Sequence, residues 1–146
     1  MQTVDFSIPQ ESLETLIKNS KDGKNSDIGK MAVEVVKLYF KSLDSMVEFQ
    51  IGKNGADITV YLDGKKTDYE VKGTQDATIA FSKLKVSSQP CHDALINGME
   101  LIRVTNIRNS DMKISFLKHG IDFQLVEEPR WAVKKISATK EKTKTY

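Results

Sequence analysis

The chain has 146 residues, 39% hydrophobic and 29% charged, the makeup of one soluble globular domain long enough to bury a core. A formal net charge of +2 excludes a generic polyanion binder, so any affinity for nucleic acid has to come from lysines clustered locally. Cys91 is the one cysteine, which excludes an internal disulfide; with no apolar run of membrane-spanning length and no signal-peptide core, a cytoplasmic protein without a membrane partner is expected.

In chain order, Val4, Phe6 and Ile8 precede Pro9, and residues 12–17 carry Leu13, Leu16 and Ile17 at the spacing of a short helix. Residues 18–26 read as a polar loop. Ser26 or Asp27 can cap a helix reaching about Leu43, with Ile28, Met31, Ala32, Val35, Tyr39 and Leu43 on an apolar face and Lys30, Lys37 and Lys41 opposite. Glu34 lies at the border of that face. Residues 46–51 alternate, with Val47, Phe49 and Ile51 against Glu48 and Gln50, which predicts a half-buried strand ending in a turn at residues 52–55.

The stretch 55–73 organises the rest. Asp63-Gly64 supplies the two positive-φ positions of a type I′ turn, and a two-residue loop there sets Leu62 opposite Lys65, Val60 opposite Thr67, Ile58 opposite Tyr69, and Asp57 opposite Glu70. Alternation then places Asp57, Glu70 and Lys72 on one face and Ile58, Val60, Leu62, Tyr69 and Val71 on the other. Directly opposed carboxylates repel, and a sheet tolerates them when a cation neutralises the pair. Two carboxylates suit Mg²⁺, which keeps several waters of its own, and a neighbouring lysine can orient a water for phosphodiester hydrolysis. The plain alternative is a solvated hairpin face balanced by Lys66 and Lys72.

Asp57, followed by Glu70-Val71-Lys72 on the next strand, resembles the D…(D/E)-x-K signature of the restriction-endonuclease-like, or PD-(D/E)XK, nuclease superfamily, with Ala56 where the name-giving proline would stand. The order of a helix and then three antiparallel strands, with the site on the second and third, is the one that superfamily uses. The resemblance implies an α/β fold with a mixed central β-sheet flanked by helices. It also implies a nuclease in which Asp57, Glu70 and the Val71 carbonyl hold Mg²⁺ (or Mn²⁺) and Lys72 positions the attacking water. The run Gly29-Lys-Met-Ala-Val-Glu34 is similar to a G-x-x-x-(A)-E pattern on the first helix of several members, which would add Glu34 to the metal ligands; otherwise Glu34 is an ordinary flanking carboxylate beside Lys30, Lys37 or Lys41. A diffuse likeness over residues 70–104 links the chain to the nuclease-like domain of plant NO VEIN-type proteins. DNA is the expected substrate, with RNA an alternative, and the small size suits a homodimer or a module beside a partner. A non-catalytic binding module on the same fold, or a nuclease toxin or mobile-element enzyme, are the other readings.

Beyond the motif, Thr74 and Gln75 are candidates for contact with a phosphate or a bound water, or else form a polar strand end. Residues 79–86 alternate and suggest a short extended piece whose Lys83 and Lys85 could meet the nucleic-acid backbone or simply face solvent. Ser87 or Ser88 can cap a helix with Pro90 in its first turn and Gly98 as its stop. Residues 99–107 read as a strand brought parallel to the sheet by a right-handed crossover. Residues 111–119 fit a short helix ended by Gly120, with His119 near its terminal carbonyls, or a strand. Residues 123–126 and 131–136 suggest two more strands, closing a domain of residues 1–138. The Lys-rich segment 139–146 is expected to be a disordered tail. Cys91-His92 lacks further ligands for zinc and a base for nucleophilic catalysis. Trp131 beside Arg130 could stack a base, though a lone tryptophan is more often core.

Overall fold

The computed structural model describes residues 1–20, 25–129 and 131–136. Its elements are β1 (Gln2–Ser7), α1 (Gln10–Asn19), α2 (Asn25–Leu43), β2 (Glu48–Ile51), β3 (Ile58–Leu62), β4 (Lys65–Gly73), a 3-10 turn (Phe81–Lys83), α3 (Gln89–Ile96), β5 (Glu100–Thr105) and β6 (Asp111–Leu117). The strands form one sheet in the order β1-β6-β5-β4-β3-β2. β4 and β5 run parallel and every other neighbouring pair is antiparallel. This is an α/β domain with a mixed, largely antiparallel central sheet flanked by helices.

Local chemistry accounts for the middle of the sheet. Asp63 and Gly64 adopt φ values of 52° and 74°, so the tight turn forms and the register is Leu62 with Lys65, Val60 with Thr67 and Ile58 with Tyr69, as counted from the sequence. At the other end of β4 the chain cannot turn straight back, because its next neighbour is parallel, and α3 supplies the crossover. Ser88 caps α3, its Oγ accepting the Cys91 N–H at 3.2 Å, with Pro90 in the first turn.

Alternation along the strands sorts two faces. The α1/α2 face collects Ile58, Val60, Val71, Ile102, Val104, Met112 and Ile114 against Met31, Ala32, Val35, Val36 and Phe40. Rings of Phe6, Tyr39, Phe40, Phe49, Tyr69 and Phe116 pack edge to face or tilted within it. Gly73 lets α2 approach: a Cβ there would lie 2.9 Å from the Ala32 Cβ. The α3 face is smaller, with Cys91, Leu95, Leu101 and Leu117 at its centre and Ile79, Leu84, Val86, Phe123 and Leu125 around them.

Several elements depart from the sequence reading. The first residues form an edge strand, β1, paired with β6. Helix α1 spans Gln10–Asn19 rather than residues 12–17 alone, and α2 begins at Asn25, so Asp27 sits in its first turn instead of capping it. The buried stripe of α2 runs through Val36 and Phe40, a turn apart from Ala32, while Leu43 at the helix end stays exposed. Ile51 is 90% exposed, because β2 is an outer strand and ends there. Residues 79–86 are not extended: Ala80 takes a left-handed φ of 52° and a 3-10 turn follows. Residues 111–117 form strand β6, so no helix ends at His119, whose ring instead meets Phe123 edge-on. Residues 123–126 and 131–136 form no strand; β6 is already paired on both sides, and only an isolated His119–Phe123 bridge remains. Trp131 is 96% exposed and therefore not core. Arg130 and the Lys-rich segment 139–146 lie outside the described residues. Among the described residues no helix is long and apolar enough to cross a membrane.

Candidate functional site

Asp57 stands just before β3 and is fastened to β4 at two points. Its N–H donates to the Tyr69 carbonyl at 2.9 Å, and its carboxylate Oδ2 accepts the Val71 N–H at 2.7 Å. The side chain therefore takes up a main-chain donor of β4, which holds it beside Glu70. Glu70 and Lys72 alternate with Tyr69 and Val71, whose side chains are in the α2 core, so both face the α3 side.

Glu70 is a buried carboxyl, only 7% exposed. The Cys91 thiol donates to its Oε2 at 3.2 Å, and Lys72 Nζ lies 3.6 Å from its Oε1. Burial, with the charge and hydrogen bond of Asp57 added, pushes Glu70 up to about 7, against the opposing pull of Cys91 and Lys72. Burial and the Glu70 charge push the Cys91 thiol up to about 12, so it is a neutral donor rather than a thiolate. The contact depends on Gly55: at φ 93°, a Cβ there would meet Cys91 N at 2.3 Å and the Pro90 carbonyl carbon at 2.4 Å. Without that glycine the turn before Asp57 could not press against the start of α3.

Asp57, Glu70 and Lys72 form the wall shared by two hollows. One, of about 220 Å³, lies toward Ser88 and Cys91. The other is a cleft of about 830 Å³ at the end of β4, bounded by the first turns of α2 and by residues 73–85. The site thus lies off the C-terminal end of a strand in the parallel pair, where α/β sheets commonly bind ligands. Among its described lining residues are five basic side chains, Lys30, Lys72, Lys83, Lys85 and Arg103, against three carboxylates, Asp57, Glu70 and Asp76.

The cleft brings together Asp57, Glu70, Val71, Lys72, Thr74, Gln75, Lys83 and Lys85 from the sequence analysis. Thr74 is buried and serves the backbone, its Oγ1 accepting the Asp76 N–H at 3.1 Å. Gln75 is exposed. Lys83 is paired with Asp76 at 2.7 Å and Lys85 with Glu128 at 2.9 Å; the Lys83 hydrogen bond holds Asp76 below the usual carboxylate range. Glu34 stands apart, exposed, paired with Lys37 at 3.3 Å and not among the described residues lining the cleft.

Two residues at the site were invisible to motif reading. Cys91 meets Glu70 through a hydrogen bond, a contact that its place in the sequence does not announce. Arg103 is 3% exposed on β5, directly across from Lys72. Its signal was present in the sequence: a lone charge inside Leu101-Ile102-Arg103-Val104, where a buried arginine requires partners.

The donor chemistry fits a small hard cation on a two-carboxylate footing. Burial raises Glu70 most, and the negative charge of Asp57 beside it adds to that rise. Among the described residues no three His, Cys, Asp or Glu side chains stand together as a metal-binding group, so waters and backbone would have to complete any shell. No family model matches the chain, and no curated protein or solved structure matches it.

Proposed function

We propose that this chain is a divalent-metal-dependent nuclease of restriction-endonuclease-like type, hydrolysing phosphodiester bonds in DNA. The observation that carries the reading is that Asp57, held just before β3 by the Val71 N–H, stands beside Glu70 of β4, with Lys72 against Glu70, at the mouth of a cleft richer in cations than in carboxylates. Opposed carboxylates in a partly buried site are costly unless a cation relieves them. Asp57 and Glu70 would hold Mg²⁺ or Mn²⁺, with the Val71 carbonyl as the further ligand that the resemblance implies, and Glu34, exposed and paired with Lys37, would take no part. The ion, when bound, supplies Lewis-acid stabilisation of the charge that develops on the phosphate oxygens. Lys72 Nζ orients the attacking water and offsets negative charge at the reacting centre. The basic lining of the cleft neutralises the nucleic-acid backbone.

The test is cleavage of supercoiled plasmid by the purified chain in Mg²⁺ or Mn²⁺ against chelator. Metal-dependent nicking or linearisation is expected, falling about 100-fold or more in Asp57→Ala and in Lys72→Ala. Absence of cleavage of duplex, single-stranded DNA and RNA, together with no thermal stabilisation by divalent metal, returns the hairpin to a scaffold and leaves a binding module.

A further inference from the structure

Arg103 is the most deeply buried charge that lines the cleft. Its guanidinium is fixed from within the protein, Nε donating to the Ile79 carbonyl at 2.8 Å and Nη1 to the Gly73 carbonyl at 3.1 Å. These bonds hold both ends of the segment that follows β4. They bring carbonyl dipoles but no counter-charge, and among the described residues Arg103 belongs to no ion pair. The nearby carboxylate that acts on it, Asp76, is already held by Lys83.

The remaining nitrogen, Nη2, bonds to no described group, yet no fully buried side-chain nitrogen or oxygen among the described residues lacks a partner. Nη2 therefore keeps contact with the cleft that Arg103 lines. The other cations are worse placed to grip an anion. Lys72, Lys83 and Lys85 are engaged with Glu70, Asp76 and Glu128, and Lys30 is an exposed, flexible side chain. A guanidinium already locked by two carbonyls loses little further freedom on binding, and its fork suits a phosphate oxygen pair better than any ammonium. A buried cation lacking a carboxylate gains most from an arriving anion.

We propose that the Nη2 edge of Arg103 is a phosphate-binding contact of this cleft, taking a non-bridging oxygen of a nucleic-acid phosphate one strand across from Glu70 and Lys72, on neighbouring strands roughly 4.8 Å apart. That the phosphate belongs to a nucleic acid rests on the nuclease reading; that Arg103 receives a phosphate does not.

The test uses the full chain in chelator, so that nothing is cleaved. The chain has three arginines, Arg103, Arg108 and Arg130, so side-chain guanidinium NMR signals are few. Titration with inorganic phosphate, and then with a short DNA duplex, is expected to shift the Arg103 signal saturably. Arg108, which donates to Ser20 Oγ at 3.3 Å, should stay in place. Arg103→Gln should weaken duplex binding roughly 10-fold and lower the slope of log K against log salt by about 0.9. A residue that only fastens the loop would change the melting temperature without changing that slope, and the NMR arm on the unaltered chain stands even if the variant fails to fold. An Arg103 signal indifferent to phosphate and to DNA overturns the proposal. If metal-dependent cleavage is nevertheless present and sensitive to Asp57 and Lys72, the nuclease reading survives alone. If Arg103 responds to phosphate and no cleavage occurs, the contact survives and the nuclease reading falls.

Discussion

The two faces of the sheet bury their residues on different terms. Toward α1 and α2, β3, β4, β5 and β6 bring Ile58, Val60, Val71, Ile102, Val104, Met112 and Ile114 into one apolar layer. Toward α3, a short helix and irregular segments cover Leu95, Leu101 and Leu117, while Thr59, Glu70, Arg103, Thr105 and Ser115 are buried there too. A sheet whose stability comes from one dry face can carry a carboxyl and a guanidinium on the other. The candidate site sits on the second face, at the end of the strand pair that both faces share. The difference places the cost of function where the core is thinnest.

The sharpest way to break this comparison is to cut equal volume from each face. Ile102 is fully buried at the centre of β5, between β4 and β6. Ile102→Ala is expected to cost about 4 kcal/mol in chemical denaturation, since the tightly packed layer cannot collapse around the void. Leu95→Ala, equally buried in α3, is expected to cost nearer 2 kcal/mol, because the coil segments around it can move in. Equal losses at the two positions would show that the faces share stability evenly and that the α1/α2 layer holds no larger part of it.

The next effect is confined to the α3 face and depends on pH. Glu70 holds its proton up to about 7 in the folded protein against an ordinary 4.5. Between those values the folded state binds more protons than the unfolded state, so stability falls as pH rises through the window and levels off above it. The loss in chelator is at most about 3 kcal/mol, from a shift worth about 1.4 kcal/mol per unit. Glu70→Gln keeps the shape without the charge. Its folding midpoint should lie above that of the unaltered chain at pH 8 and below pH 7 show little of the slope, while metal-dependent cleavage disappears. A variant less stable at pH 8 would mean that the Glu70 charge is welcome where it sits, and that no cation is needed to relieve it.

The hairpin was legible because its information is local. Asp63-Gly64 dictates a turn, the turn dictates register, and alternation separates Asp57, Glu70 and Lys72 from Ile58, Val60 and Val71. The cap of α3 and the parallel return of β5 followed for similar reasons. What the sequence concealed depends on contacts distant along the chain. Whether residues 123–126 form a strand is decided by β1, which occupies the outer edge of β6. Val4 and Phe6 gave too short a run to announce that strand. Glu34 fits the site by the local pattern Gly29-Lys-Met-Ala-Val-Glu34, yet it is exposed, pairs with Lys37 and is not among the described residues lining the cleft. Arg103 could be noticed as a charge in an apolar run, but its carbonyl partners, at Gly73 and Ile79, come from another strand and from a coil. Cys91 reaches Glu70 only because Gly55 removes a Cβ from between the turn and α3.

That last contact makes the smallest and most selective probe of the α3 face. A thiol is apolar enough to sit with Leu95, Leu101 and Leu117, and still has one weak hydrogen to give Glu70. Cys91→Ala removes the donor and leaves a small void, and should cost about 1 kcal/mol. Because the thiol bond favours the ionised carboxylate, its loss should also move the Glu70 titration upward, readable from the side-chain carboxyl carbon by NMR. Cys91→Ser restores a donor and should bring the titration back down even if packing is less favourable. A void acting alone would lower stability equally in both variants and leave the titration where it was. Separation of the serine and alanine variants in the titration is what a donor aimed at Glu70 requires.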